Sequence, residues 1–175
     1  GRNALYAFCA EQGIAHEQCG KVVVATSPEE LPALDELERR GYDNGLKGLE
    51  RLDGDGIRRR EPHVKGVAGL LVPETGIVDY VQVVNAYARL IKERGGSIRL
   101  SCAVQRVERH GHGFVLQTSQ GPIEAAFVIN CAGLHCDRVA LMCGTQPRMQ
   151  IVPFRGEYYT LAERCRSKVK HLIYP

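Results

Sequence analysis

The stretch from residue 127 to residue 136, FVINCAGLHC, is the part of the chain whose residue types and spacing best suit chemistry. An apolar run stops at Asn130 and enters the small pair Ala132 and Gly133. Because glycine has no Cβ, a flat ligand can approach the backbone closely at Gly133. A strand, a tight turn and a helix start form the crevice in which open α/β sheets bind nucleotide cofactors. The stretch therefore predicts one flank of such a crevice.

Two elements must position this turn. The β-forming residues at 127–129 form an unbroken apolar run, which predicts a strand buried on both faces of a parallel sheet. After the turn, Asp137 is expected to cap a short helix that runs through Met142 and ends at Gly144. The turn would then lie between a buried strand and a helix N-terminus.

The chain before this turn is predicted to complete an α/β unit over 76–145. Asp79 is expected to be the N-cap of the clearest helix, with Gln82 at the capping-box position and Gly95-Gly96 at its end. The predicted buried stripe of this helix is Val83, Val84, Tyr87, Leu90 and Ile91. A strand over 97–100 and a three-stranded meander over 103–110, 114–118 and 123 onward are expected to follow.

The flanking segments are predicted to form a mixed α+β layer. The first expected elements are a helix over 3–12 closed by Gly13 and a strand over 21–26. A helix is then expected with Ser27 as its N-cap, Glu30 as the capping-box partner and Gly41 as its end. A loop over 43–56, a strand over 67–72 and a hairpin of 151–154 with 158–161 around Arg155-Gly156 follow. The predicted fold class is therefore α/β with α+β.

The composition is that of an ordinary globular protein of 175 residues, with 44% hydrophobic and 25% charged residues. The formal net charge is only +3, aromatic residues make up 6%, and there is no Trp, which argues against nucleic-acid binding. No apolar run approaches the roughly 20 residues of a membrane span. Seven irregularly spaced cysteines predict free thiols in a reducing compartment, hence a cytoplasmic protein.

Several other polar residues have both a functional and a plain structural interpretation. His63 could be a base, but a lone loop histidine is usually solvated. The histidine and cysteines within 131–143 do not have the spacing of a closed zinc site, so thiols buried on a short helix are favoured and no metal is predicted. Arg58–Arg60 is expected to be a solvated face, with attraction of an acidic substrate as the minor alternative.

Three stretches, GIVDYVQVV (76–84), FVINCAGLHCDRVA (127–140) and VPFRGEYYTL (152–161), followed by HLIYP (171–175), resemble the flavin-dependent D-amino-acid oxidase superfamily. Within it the chain is most similar to the L-2-hydroxyglutarate oxidases and dehydrogenases, a branch that CGKVVVAT (19–26) also fits. The P-x-R-G-E segment with the Asn-Cys-Ala-Gly turn is typical of the superfamily, while GIVDY and RGEYY indicate the branch. The resemblance extends over essentially all 175 residues.

The resemblance implies part of a Rossmann-like FAD-binding domain interleaved with part of an antiparallel-sheet substrate domain. Residues 1–13 and 76–145 are expected in the FAD domain, and residues 14–75 and 146–175 in the substrate domain. The implied activity is oxidation of L-2-hydroxyglutarate to 2-oxoglutarate by hydride transfer to FAD.

The resemblance also implies roles for individual residues. Val104 matches the residue whose backbone meets the adenine end of FAD, and Cys131, Ala132 and Gly133 match the turn along the cofactor. Arg155 and Tyr158, with Glu157 between them, belong to the segment near the substrate.

One departure from the family pattern concerns the phosphates of the cofactor. Family members open with a strand and a G-x-G-x-x-G turn, and neither Gly54-Asp-Gly56 nor Gly111-His-Gly113 completes that fingerprint. Together with the start at Gly1 and the stop at Pro175, this predicts a piece of a longer protein that binds FAD poorly by itself. Exposed apolar surface would then make the isolated chain self-associate, and the native oligomeric state stays open.

The implied reaction needs a hydride acceptor, a base for the hydroxyl proton, and cations for the carboxylates. Arg155 is the best carboxylate ligand in the chain because its guanidinium can bind a carboxylate through two hydrogen bonds. An ion pair with Glu157 is the equally weighted structural alternative. The base and the electron acceptor are not assigned, and membrane contact of a longer parent that feeds a quinone pool is left open.

Two other functions remain open at this point. A flavin enzyme acting on glycine or a D-amino acid shares the same motifs, so it would be recognised by ammonia release. A non-catalytic interaction domain is the third hypothesis. A G-x-G-x-x-G turn encoded upstream would exclude it, and a start codon just before Gly1 would support it.

Overall fold

The computed structural model describes residues 1–156 and 161–175, which form a mixed structure of helices and mainly antiparallel sheets. The described residues fall into two compact units, residues 1–94 with 161–175, and residues 95–156. The assignment of 1–13, 14–75, 76–145 and 146–175 to FAD and substrate domains stays a prediction.

The elements of the described residues have the following bounds. The helices are α1 (Arg2–Gln12), α2 (Leu31–Asp43), α3 (Gly54–Arg60), α4 (Tyr80–Glu93) and α5 (Cys136–Met142). The strands are β1 (His16–Glu17), β2 (Lys21–Ala25), β3 (Glu50–Asp53), β4 (Ala68–Val72), β5 (Ile77–Val78), β6 (Val104–His110), β7 (Gly113–Thr118), β8 (Gly121–Ala125) and β9 (Leu172–Tyr174). Short 3₁₀ helices lie at Pro28–Glu30, Gly133–His135 and Glu163–Lys168.

The first unit is built around a four-stranded sheet in the order β3-β4-β2-β9. The first three strands pair antiparallel, and β9 pairs parallel to β2. Both faces carry buried apolar side chains: Val22 packs with Ile57 of α3 on one face, and Leu70 packs with Leu34 of α2 on the other. The predicted strands over 21–26 and 67–72 are confirmed as β2 and β4.

The segment 43–56, predicted to be a loop, instead contains β3 and the start of α3. Asp53 begins α3 because its Oδ1 accepts a hydrogen bond of 2.6 Å from the backbone N–H of Gly56. The prediction that Gly41 ends α2 is also wrong, since the helix continues to Asp43. Gly41 is buried, and a Cβ there would lie 2.7 Å from Leu49 Cδ1, so this glycine permits close packing instead of ending the helix.

The start of α2 also differs from its prediction. Ser27 makes no capping hydrogen bond from its side chain, and Pro28–Glu30 forms a 3₁₀ turn before the helix. The Glu30 carboxylate instead accepts hydrogen bonds from the backbone N–H of Thr26 at 2.6 Å and from its hydroxyl at 3.1 Å. The predicted capping box is therefore displaced by one residue.

A second core in the same unit joins α1 to α4. Its buried side chains are Cys9, Ile14, Val83 and Ala86. Asp79 caps α4 as predicted, since its Oδ1 accepts hydrogen bonds from Val81 N at 3.0 Å and Gln82 N at 3.1 Å. The predicted stripe is only partly buried, because α4 packs on α1 through one side: Val84 is 62% exposed.

The second unit contains the predicted meander, in which β6, β7 and β8 pair antiparallel in sequence order. The pairing register shifts between Val104 and Arg106, a bulge at the start of β6. The strand predicted over 97–100 does not form, and this segment leads into the meander as a loop.

Candidate cofactor-binding site

The turn between residues 130 and 136 is organised by the side chain of Asn130. Its Nδ2 donates a hydrogen bond of 2.7 Å to the carbonyl of Cys136, and its Oδ1 accepts one of 3.2 Å from the backbone N–H of Ala132. The backbone N–H of His135 donates to the carbonyl of Ala132 at 3.0 Å. These three bonds fix the turn locally, so its shape does not depend on a surrounding core.

The surface of this turn is open. Cys131, Ala132 and Gly133 are exposed, and Gly133 has a φ of +57° with no atom within 4 Å of the position a Cβ would take. A positive φ is easily adopted only by glycine. The turn therefore presents accessible peptide groups, which is the property that contact with a flat cofactor requires.

The strand predicted over 127–129 is not formed in the structure. These residues have no β pairing, and Phe127 and Ile129 are each 86% exposed. A strand requires neighbours that accept its backbone hydrogen bonds, and no strand of the described residues pairs with this segment. Its apolar side chains are consequently left on the surface.

Asp137 does not cap α5 as predicted, because it lies inside the first turn of that helix. Its carboxylate accepts hydrogen bonds from the backbone N–H of Ile151 at 3.2 Å and of Arg138 at 2.8 Å. The bond from Ile151, followed by the bond from Arg138, holds the pKa of Asp137 below its usual value. Asp137 thus ties the segment leading to Arg155 to the helix that follows the turn. The predicted end of the helix at Met142 is confirmed.

Val104 is the first residue of β6, is half-buried, and pairs with Thr118 on β7. The neighbouring Ala103 exchanges two hydrogen bonds with Ser119, one to its hydroxyl at 3.0 Å and one from its backbone N–H at 2.9 Å. Because α5 packs against β6, Val104 and the 131–133 turn belong to one unit. Contact of either with FAD stays a prediction.

The predicted substrate segment is only partly described. Residues 151–156 form no strand, and Tyr158 lies outside the described residues, as do Glu157, Tyr159 and Thr160. Arg155 is exposed and interacts with other groups of the protein. The roles predicted for Arg155 and Tyr158 therefore stay predictions. The predicted hairpin strand over 151–154 is not formed, and most of its predicted partner, 158–161, lies outside the described residues.

The predicted solvated positions of His63 and Arg58–Arg60 are confirmed, whereas the predicted burial of the cysteines within 131–143 is not. His63 is exposed, and Arg58–Arg60 lies on or near the surface, with Arg60 2.6 Å from Glu50. All seven cysteines are free, but Cys131 is exposed and Cys136 and Cys143 are only half-buried, so the prediction of buried thiols on the short helix is wrong. Among residues 1–156 and 161–175, no group of histidine, cysteine and acidic side chains is arranged to hold a metal ion.

One buried ionisable group was not found from the sequence. Glu61 has no exposed surface, and its carboxylate accepts hydrogen bonds from the backbone N–H groups of Lys170 at 2.9 Å and His171 at 2.7 Å. His171 Nδ1 lies 2.7 Å from the same carboxylate. The only sequence signal is an acid directly after Arg58–Arg60, which looks like a surface charge cluster.

The fold combines helices with mainly antiparallel sheets, and its exposed 131–133 turn suits a flat cofactor. The model of the DAO family, FAD dependent oxidoreductases, matches residues 1–175. The chain belongs to this family.

The relatives are similar along the whole chain. L-2-hydroxyglutarate dehydrogenase of Escherichia coli (strain K12) is 42% identical over 176 residues, which cover 100% of this chain and 42% of that protein. The protein of the same name from Indibacter alkaliphilus is 43% identical, and 44% of its length is covered. The mitochondrial enzyme of Homo sapiens is 36% identical over 187 residues, with 40% of its length covered. The chain thus spans about two fifths of the curated relatives it matches.

Solved structures share the fold at low sequence identity. Glycine oxidase from Geobacillus kaustophilus has a TM-score of 0.71 and 21% identity, covering 82% of this chain and 40% of that chain. L-alpha-glycerophosphate oxidase from Mycoplasma pneumoniae, solved with FAD bound, has a TM-score of 0.71 and 20% identity. The match covers 81% of this chain and 39% of that chain. At these identities the likeness establishes the fold alone.

FAD is the cofactor of the family, and the 131–133 turn fits such a group because its backbone is exposed and Gly133 leaves the approach clear. Phosphate contacts from a G-x-G-x-x-G turn are not encoded in these 175 residues. Weak binding of FAD by residues 1–175 alone stays a prediction. In the described part of the chain, no helix is long and apolar enough to span a bilayer.

Proposed function

We propose that the protein carrying this chain oxidises L-2-hydroxyglutarate to 2-oxoglutarate with FAD as hydride acceptor. The observation that carries the proposal is identity of 36% to 43% over the full chain to proteins named L-2-hydroxyglutarate dehydrogenase. The open turn beside α5 supports it, since a flavoprotein needs exposed backbone against its cofactor. Free cysteines support the cytoplasm as the proposed compartment.

When bound, FAD supplies the acceptor for the hydride that leaves C2 of the hydroxy acid. In this proposal the backbone of Val104 lies at the adenine end, and residues 131–133 lie along the cofactor. Asn130 contributes indirectly, because its two hydrogen bonds hold the turn in shape before the cofactor arrives. Less conformational entropy is then lost on binding.

The substrate is proposed to be held through its carboxylates. Arg155 is the proposed carboxylate ligand of the 152–161 segment, and Tyr158 the proposed hydrogen-bonding neighbour. The bond from Ile151 N to Asp137 supports this arrangement, because it restrains the start of that segment. A proton acceptor for the substrate hydroxyl is also required, and no residue of this chain is proposed for it.

The test uses the full-length protein with its flavin under anaerobic conditions. L-2-Hydroxyglutarate is expected to bleach the visible absorbance of the oxidised flavin. D-2-Hydroxyglutarate is the matched control and is expected to leave the flavin oxidised. A flavin that stays yellow with the L enantiomer refutes the substrate assignment.

An amine oxidase is the second candidate, because glycine oxidase from Geobacillus kaustophilus shares the fold at a TM-score of 0.71. Its 21% identity is half that of the hydroxyglutarate dehydrogenase relatives, which is why it ranks second. Flavin reduction by glycine or a D-amino acid with ammonia release, and inert hydroxy acids, would establish this alternative.

A further inference from the structure

The segment that leads into β6 has an unusual backbone. Ser101 has a φ of +54°, and among residues 1–156 and 161–175 it is the only non-glycine residue with a positive φ. A residue with a Cβ keeps such a φ only where surrounding contacts impose it. Three residues further on, the pairing of β6 with β7 shifts its register between Val104 and Arg106. Strained residues and bulges are both concentrated at functional sites, so this segment is a candidate for one.

The backbone of Val104 faces the open edge of the meander. In the order β6-β7-β8, no strand of the described residues lies on the outer side of β6. The N–H of Ser119 donates to the carbonyl of Ala103 at 2.9 Å, so these two residues form a hydrogen-bonded pair across the strands. Such pairs alternate with pairs whose N–H and C=O groups point away from the partner strand. Val104, opposite Thr118, is in a pair of the second kind, so its N–H and C=O point to the open edge.

Two side chains of the turn between β7 and β8, Ser119 and Gln120, hold this segment and are called the 119–120 clamp. The Ser119 hydroxyl accepts a hydrogen bond of 3.0 Å from Ala103 N and donates one of 3.2 Å to the carbonyl of Ser101. Gln120 Nε2 donates to the carbonyls of Leu100 at 3.0 Å and Ser101 at 3.3 Å. The Ser101 carbonyl thus has a donor from each residue of the clamp, which stabilises the positive φ of Ser101.

The clamp is itself fixed by the side chain of Thr118, which is buried. The Thr118 hydroxyl donates a hydrogen bond of 2.6 Å to the carbonyl of Gly121. It accepts one of 3.1 Å from the backbone N–H of Gln120 and one of 3.2 Å from the thiol of Cys102. The hydroxyl therefore uses its one hydrogen and both lone pairs. The turn that carries the clamp is held in shape by contacts within the protein alone.

We propose that Ser119 and Gln120 are positioning residues for the cofactor, because they hold the Val104 backbone ready for the adenine of FAD. The contact of Val104 with adenine rests on the proposed function. Adenine presents an amine donor beside a ring-nitrogen acceptor, which is complementary to one outward C=O and one outward N–H. The segment is ordered when the protein folds, so less conformational entropy is lost when FAD binds. Neither side chain of the clamp needs to touch the cofactor.

Isothermal titration of the full-length apoprotein with two probes tests this role. ADP carries the adenine, and FMN lacks it. Gln120→Ala is expected to raise the dissociation constant of ADP about 3- to 10-fold, the effect of losing an ordinary hydrogen bond. Ser119→Ala, which removes the bonds to both Ala103 and Ser101, should raise it about 5- to 30-fold. The dissociation constant of FMN should change less than about twofold in both variants, whereas a general folding defect would weaken both probes.

Two further variants serve as controls. Ser119→Thr keeps the hydroxyl and should restore most of the ADP affinity. Gln146→Ala replaces an exposed glutamine of the same unit and should change the dissociation constant of ADP less than about twofold. If Ser119→Ala fails to fold, Gln120→Ala carries the same test, because the Gln120 side chain is exposed.

Amide hydrogen exchange of the apoprotein gives a readout that needs no ligand. In wild type the Ala103 amide should be protected, because its N–H is bonded to the Ser119 hydroxyl before FAD arrives. Its exchange should accelerate at least about tenfold in Ser119→Ala and stay unchanged in Gln146→Ala.

Three results would overturn the positioning role: ADP affinity unchanged in both clamp variants, equal losses of ADP and FMN affinity, or an unprotected Ala103 amide in the wild-type apoprotein. If the clamp variants lose ADP affinity as expected but L-2-hydroxyglutarate leaves the wild-type flavin oxidised, the positioning role stands and the proposed reaction fails.

Discussion

Replacement of Glu61 by alanine tests how the last described strand is held. The mutation leaves the backbone N–H groups of Lys170 and His171 without the acceptor they reach at 2.9 Å and 2.7 Å. Each buried donor left unsatisfied costs about 1–3 kcal/mol. The His171 ring, 23% exposed, can turn to water and contributes less. Together, the two unsatisfied donors and the lost His171 contact agree with the roughly 3–5 kcal/mol of stability lost when one partner of a buried pair is removed.

The assay combines thermal unfolding with hydrogen exchange in the full-length protein. The shift in melting temperature per kcal/mol is about 2–4 °C for 150–250 residues and smaller for a longer chain, so the melting temperature of the full-length protein should fall by roughly 5 °C in Glu61→Ala. Glu61→Gln keeps one carbonyl oxygen but loses the charge, so about half that loss is expected because charge-assisted hydrogen bonds are roughly twice as strong as neutral ones. Amide exchange at residues 170–172 should accelerate in both variants, since Glu61 holds the start of β9.

Glu163→Ala is the matched control, because the Glu163 side chain is exposed and its pair with Arg166 is a surface pair at 3.4 Å. It should change stability by less than about 0.5 kcal/mol. The reasoning is refuted if Glu61→Ala is no more destabilising than this control, or if exchange at residues 170–172 is unchanged.

Three further predictions concern the turn and the α4 cap. Gly133→Ala is expected to cost about 1–2 kcal/mol of backbone strain at φ +57° and to weaken FAD retention, measured by flavin fluorescence after gel filtration. Asn130→Ala should release more FAD than Gly133→Ala, because it removes the hydrogen bonds to both Cys136 and Ala132; equal retention would contradict this. Asp79→Ala should lower the melting temperature at neutral pH. The hydrogen bond from the backbone N–H of Gln82 lowers the pKa of Asp79 from its ordinary value. The ionised carboxylate therefore stabilises the fold above that ordinary value, and this stabilisation is lost as the pH falls through the lowered pKa. The difference between Asp79→Ala and wild type should therefore shrink in acid, and a difference that persists there would argue against the cap.

The sequence by itself determined the elements whose signals are local. Asp79 and the apolar spacing after it define α4, and the glycine-rich turns between short alternating runs define the β6-β7-β8 meander. The small-residue turn at 131–133 was also predictable, because Asn130 shapes it through hydrogen bonds within seven residues and Gly133 adopts the positive φ that it needs. Family membership followed from such segments, since their motifs are short and continuous.

Only the tertiary structure decided the features that join distant parts of the chain. The pairing of β9 with β2 and the burial of Glu61 both depend on contacts across more than 100 residues, and no local pattern encodes which acid will meet which backbone. Gly41 was misread for the same reason, because its role is set by Leu49 packing against it. The exposed run at 127–129 also depends on distant residues. Its residue types favour a strand, but none forms because no strand of the described residues pairs with it.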